Sequence, residues 1–168
     1  IQEDATTPVT GTVAPSTGPV AGKGFAVQAR TPGQYGYFSI DANGLWSYDL
    51  DNTLASVQAL GASQSASDTF LVSYDNEAFA SIKLEIRGKN DPAAISGQLA
   101  QSLDASAASA VSGSLKVEDP DTGEARFTPI TRQDGSWGYF SLTAEGSTQY
   151  TLLPGYAGAA AAQRVSTL

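Results

Sequence analysis

Between Gly36 and Leu50 the chain reads GYFSIDANGLWSYDL, with large apolar residues on alternate positions either side of Asn43-Gly44. Period two is the repeat of a half-buried strand, so the segment predicts a β-hairpin. The apolar positions also choose its loop. A two-residue Asn43-Gly44 turn would set Ile40 against Ser47 and Phe38 against Asp49. A three-residue loop, Ala42-Asn43-Gly44 with Gly44 left-handed, instead sets Ile40 against Trp46 and Phe38 against Tyr48. That gathers four large groups on one face, and it is the arrangement expected. Trp46 and Tyr48, which with Tyr37 could suggest a sugar-binding platform, therefore read as core.

The pattern returns 102 positions later, where Gly138 to Leu152 read GYFSLTAEGSTQYTL. From Gly33 to Leu50, nine of eighteen residues are identical to their partners at Gly135 to Leu152, with no gap. Gly11 falls on Gly113 and Phe25 on Phe127 in the same register. The second hairpin is expected to turn through Ala144-Glu145-Gly146, with Phe140 opposite Tyr150. A period of this length belongs to tandem domains rather than to a solenoid turn. The polar, turn-rich Gly88-Lys89-Asn90-Asp91-Pro92 marks a boundary, giving repeats over 1–89 and 90–168. Further strands are expected at Thr10–Val13, Phe25–Ala29, Thr69–Tyr74, Phe79–Ile86, Ser114–Glu118 and Phe127–Thr131. Short helices are expected at Leu54–Leu60 and Ala157–Arg164. About seven short strands per repeat, with turn signals between them, predict an all-β fold of tandem immunoglobulin- or cadherin-like sandwiches. The second copy is incomplete, because nothing after Leu168 matches Asp68–Ser73 or Ala80–Ile86. A cut end, an inserted domain or completion by a partner strand would each account for that. The last would make a strand-exchanged homodimer.

Composition narrows the chemistry. The 168 residues include no Cys and no His, which removes thiol nucleophiles, thiolate metal sites, the serine triad and nearly every zinc or copper site. Seventeen Asp and Glu oppose nine Lys and Arg, so hard, oxygen-liganded cations stay open while nucleic acid does not. No apolar run is long enough for membrane insertion. The chain opens on Ile1, with neither Met nor a signal peptide, which reads as a piece of a longer protein.

Strand parity places a cation. If strands alternate down and up, the Glu118-Asp119-Pro120-Asp121 loop lies at the top of the second repeat, near Asn90-Asp91. Glu3-Asp4 lies at the bottom of the first, as do Asp51 and Asp68. Carboxylates of three segments would then meet at one hinge, where Ca²⁺, taking six to eight oxygens, would relieve their repulsion and fix the angle. The same residues also read as solvated turns. The metal candidates are Glu3, Asp4, Asn90, Asp91, Glu118, Asp119 and Asp121. Catalytic carboxylate pairs, Asp119 with Asp121 or Asp75 with Glu77, would sit on surface turns without an aromatic cleft, so no enzyme is expected. A carbohydrate- or peptide-binding module is the alternative. Only the stretch from Leu152 to Leu168 departs from the repeat to serve it.

Four stretches carry a family resemblance: GQYGYFSIDANGLWSYDLDN, VQALGASQSASDTFLVSY, IRGKNDPA and GSLKVEDPDTGEARF. In this order they resemble the VCBS repeat, a bacterial cadherin-like domain. The resemblance implies a spacer in a large, type I-secreted RTX-class adhesin, located outside the cell. Its partners would be neighbouring repeats, and calcium commonly stiffens the junctions of such arrays. The chain departs from the pattern where Pro15–Gly22 replaces the acidic Val117–Glu124 and where Thr148 replaces Trp46.

Overall fold

The computed structural model describes residues 1–156 and the backbone of 165–167. The chain is nearly all β and divides into two compact units, Ile1–Asp91 and Pro92–Leu168. The expected Ala157–Arg164 helix lies outside the described residues. Among those residues no helix is long and apolar enough to cross a membrane.

The first unit contains β1 (Val9–Thr12), β2 (Gln28–Pro32), β3 (Gly36–Ile40), β4 (Leu45–Leu50), α1 (Ala55–Gln58), β5 (Ser65–Tyr74) and β6 (Ala78–Arg87). An antiparallel sheet of order β1-β4-β3-β2 faces the long β5–β6 hairpin. The β3–β4 hairpin has the register that its apolar positions demand, Phe38 opposite Tyr48 and Ile40 opposite Trp46. Gly44 closes the loop at φ +84°, and a Cβ there would lie 2.1 Å from the Val13 carbonyl oxygen. The position therefore needs glycine for conformation and for space. Phe38, Ile40 and Tyr48 from one layer pack on Phe70, Val72 and Leu84 from the other. The Phe38 and Phe70 rings stack at 4.7 Å. Each such buried side chain contributes roughly 1.5–3 kcal/mol.

The second strand begins later than expected, at Gln28 rather than Phe25. Phe25 instead bridges Tyr74, and the Ala26 N–H donates to the Ser73 carbonyl at 2.9 Å. The chain thus belongs to the β5 layer at Phe25 and joins β3 only from Gln28, with an irregularity before Thr31. The ends of the unit also meet. Gln2 lies parallel to Arg87, with Arg87 N–H donating to Ile1 O and Glu3 N–H to Arg87 O, both at 2.9 Å.

The second unit contains β7 (Ala94–Gly97), β8 (Gln101–Leu103), β9 (Ala110–Glu118), β10 (Ile130–Asp134), β11 (Gly138–Leu142), β12 (Ser147–Leu152) and β13 (Val165–Thr167). The main sheet has order β10-β11-β12-β9-β7, and β13 pairs with β8. Its hairpin repeats the first, with Phe140 opposite Tyr150 and Gly146 at φ +91°. As in the first unit, the strand expected at Phe127 starts three residues later. Thr148, facing Gly113 across the β9–β12 pair, leaves the room that Trp46 fills over Gly11. The side chains of Gln98 and Gln101 take that room, lying over Gly113 and bonded to each other at 3.2 Å. The core is small: Leu103, Tyr150 and Leu152, with Ala105, Val111 and Phe140 against it. Leu103 stands on β8 of the two-stranded β8–β13 sheet and packs on Tyr150 and Leu152 of the main sheet, and no hairpin as long as β5–β6 occurs among the described residues of this unit.

Candidate metal centre

In the second unit, β9 ends at Glu118 and the chain turns through Asp119-Pro120-Asp121-Thr122-Gly123-Glu124. Asp and Pro with a following Gly are turn chemistry, and the loop folds on its own side chains. The Asp119 carboxylate accepts the Asp121 N–H at 2.9 Å, an Asx-turn. The Glu124 N–H then returns to the Asp121 carbonyl at 3.2 Å. Gly123, at φ +88°, permits that reversal.

The outcome is a cluster: one carboxylate oxygen each of Asp119, Asp121 and Glu124 lies within 4.8 Å of the others. Asp121 is 2% exposed, Asp119 half-buried and Glu124 exposed. Two unit charges at such separations repel by about 3–4 kcal/mol at an effective dielectric near 20, less where water reaches them. A hard cation accepting one oxygen from each would remove that repulsion, and carboxylate oxygens are the donors that Ca²⁺ selects.

The seven residues singled out in the sequence divide between the units. Asp119 and Asp121 belong to the cluster. Glu118 does not, because its side chain ion-pairs with Lys116 on the same strand, and that hydrogen bond lowers its pKa. Glu124 takes its place. Its signal was legible as a third carboxylate just past the Gly123 reversal. In the first unit Glu3 is buried, with Oε2 accepting the Lys89 N–H at 3.0 Å. Asp4 ion-pairs with the Lys89 ammonium at 3.0 Å and accepts from Gln58 at 3.4 Å. The Lys89 bond, and secondarily that of Gln58, hold the Asp4 carboxyl below its usual range. Asn90 donates its side-chain amide to the Asp91 carbonyl at 2.7 Å. Lys89, which the sequence marks only as part of the boundary turn, is thus the cation already seated beside Asp4.

Asp68 shares the Tyr35 loop with Asp51 but does not face outward. It is 5% exposed and turned into the first unit. It accepts the Tyr48 hydroxyl at 2.7 Å and the Gln34 and Tyr35 N–H groups at 2.8 and 3.0 Å. With three donors satisfied it is a structural carboxylate. Asp51 caps its own turn through Thr53.

No protein-family model matches the chain, and no curated protein matches it.

Proposed function

We propose that this chain is a two-repeat spacer from a large secreted bacterial surface adhesin, non-catalytic and similar to VCBS repeats. In this reading Asp119, Asp121 and Glu124 hold a Ca²⁺ ion that fixes the β9–β10 loop and stiffens the repeat. The single observation behind it is the recurrence of one building block. The β3–β4 and β11–β12 hairpins share strand register, loop length and left-handed glycine, 102 residues apart. What is conserved between the copies is therefore core-forming, whereas the loops differ, as expected when the work is to repeat a shape. The acidic loop of the second repeat, absent from the first, supports placing the cation there.

A thermal melt in millimolar CaCl₂ and again in excess EDTA tests the calcium. A ligand at about 100 times its Kd stabilises a fold by ~2.7 kcal/mol, a shift of several degrees. The shift should vanish in Asp121→Asn. Superimposable melts of the unaltered protein would remove calcium from the account.

A further inference from the structure

We propose that the first unit self-associates through the free edge of β6. Two copies pair antiparallel about a two-fold axis at Ala80, joining their β5–β6 hairpins into one four-stranded sheet.

Backbone parity defines the edge. On the side of β6 away from β5, the Glu85 carbonyl accepts the N-terminal ammonium at 2.8 Å. Arg87, on the same side, donates to the Ile1 carbonyl and accepts from the Glu3 N–H. Peptide groups alternate in direction along a strand, so those of Phe79, Ser81 and Lys83 point the same way. Among the described residues, the strand contact on this side is Gln2 with Arg87, and nothing meets the outward groups of those three. The Asp75-Asn76 turn, both residues at positive φ, bounds the free stretch at one end, and Ile1 at Glu85 bounds it at the other. It runs over 77–83, with Ala80 at its midpoint. The longest antiparallel overlap of two such edges is centred there. It exchanges four backbone bonds, between Phe79 of each copy and Ser81 of the other.

Side chains choose the same register. The ion pairs of this unit use Lys23, Arg30, Arg87 and Lys89 and leave Lys83 over. An edge lysine repels indiscriminate strand pairing and admits a strand that sets a carboxylate opposite it. With the axis at Ala80, Lys83 of each copy stands opposite Glu77 of the other, whose side chain is 80% exposed. Moving the axis to Ser81 would set Glu85 against Glu77 and lose both pairs. Moving it to Phe79 would run the overlap into the turn. Leu71 and Phe79, 60% and 64% exposed, stand diagonally on the outer face of the hairpin. In the paired form Phe79 is diagonal to its own counterpart as well, so four exposed apolar groups gather about the axis. Edge length, charge and apolar contact are thus all self-complementary, which assigns the edge to a second copy of this chain. Both hairpins stay whole, unlike in strand exchange, and calcium plays no part.

Sedimentation equilibrium of the full chain in EDTA is the test, from about 10 µM to 1 mM, the range suited to an interface under ~1,200 Å². The mean mass should climb from 17.3 kDa toward twice that value. Ser81→Pro removes an outward N–H where an edge strand tolerates proline, and should hold the mass at that of one chain with an unchanged far-ultraviolet spectrum. Lys83→Glu and Glu77→Lys, each alone, should weaken association roughly 10-fold or more by setting like charges opposite. Mixed in equal amounts the two variants should recover it, because both cross-strand pairs then have opposite signs. A single-chain mass throughout the range would overturn the proposal. So would association that survives Ser81→Pro, or a mixture of the charge variants that associates no better than either alone.

Discussion

Replacing Asp68 with Asn should strip the first unit of its main polar anchor. Asn is nearly isosteric, so packing against Phe70 survives and the change isolates hydrogen bonding. The carboxylate receives three bonds of 2.7–3.0 Å. An Asn has one acceptor oxygen, and its amide turns donors toward donors. Gln34 is exposed and Tyr35 half-buried, so water recovers much of what their N–H groups lose. Tyr48 is 0% exposed, and its hydroxyl has no such recourse. A bond to a charged partner contributes about 1.5–3 kcal/mol, and stranding a buried donor costs about 1–3 kcal/mol. The expected loss is therefore about 2–4 kcal/mol. Urea unfolding in a Trp137→Phe background reads it, because Trp46 is then the only tryptophan and reports on the first unit. Tyr48→Phe supplies the cycle. If the hydroxyl is the chief casualty, the double variant loses at least ~1 kcal/mol less than the sum of the singles. A loss under ~1 kcal/mol for Asp68→Asn, or strict additivity, would refute this account of Asp68.

Two further predictions concern the same hairpins. Gly44→Ala forces a side chain into positive φ and 2.1 Å from the Val13 carbonyl, and should destabilise the first unit by about 2–3 kcal/mol in the same urea assay. Burial first, and the bond to Asp68 second, push the Tyr48 hydroxyl well above its ordinary value of 10.0. The folded state then holds its proton more tightly than the unfolded chain. Its contribution is complete below pH about 10 and falls as pH rises beyond, by up to ~1.4 kcal/mol per pH unit. Alkaline unfolding followed by circular dichroism should show this slope, and Tyr48→Phe should flatten it.

Much of the fold was legible because its elements are locally amphipathic. Phe38, Ile40, Trp46 and Tyr48 leave a single loop that keeps them together, and the structure uses it. The helix at Leu54–Leu60 forms as the shorter α1, seating Val57 in the interior. Elsewhere the pattern misleads for physical reasons. Phe25 is as apolar and alternating as a strand residue, but its partner is Tyr74 on the opposite layer, a tertiary choice without local trace. Strand β7 escapes notice because Ala94–Gly97 is exposed on both faces and pairs only with the C-terminal residues Leu115–Glu118 of β9. At the site, the Asx-turn chemistry of the acidic loop was visible, but the bend that aims Glu124 rather than Glu118 toward Asp121 was not. For Asp68 the signal existed. It stands two residues before Phe70, so period two already turned it inward.

The parallel contact between the chain ends of the first unit has a mechanical meaning. The Ile1–Arg87 and Glu3–Arg87 backbone bonds, with Lys89 held by Glu3 and Asp4, lie side by side between the first few residues and the last. Tension applied through those two ends runs along the paired segments and not across them. The bonds are then loaded in shear, all at once, instead of peeling open one by one. A unit fastened in this way resists extension until the whole clasp yields, and its strength under load is set by the residues nearest the points where it is pulled.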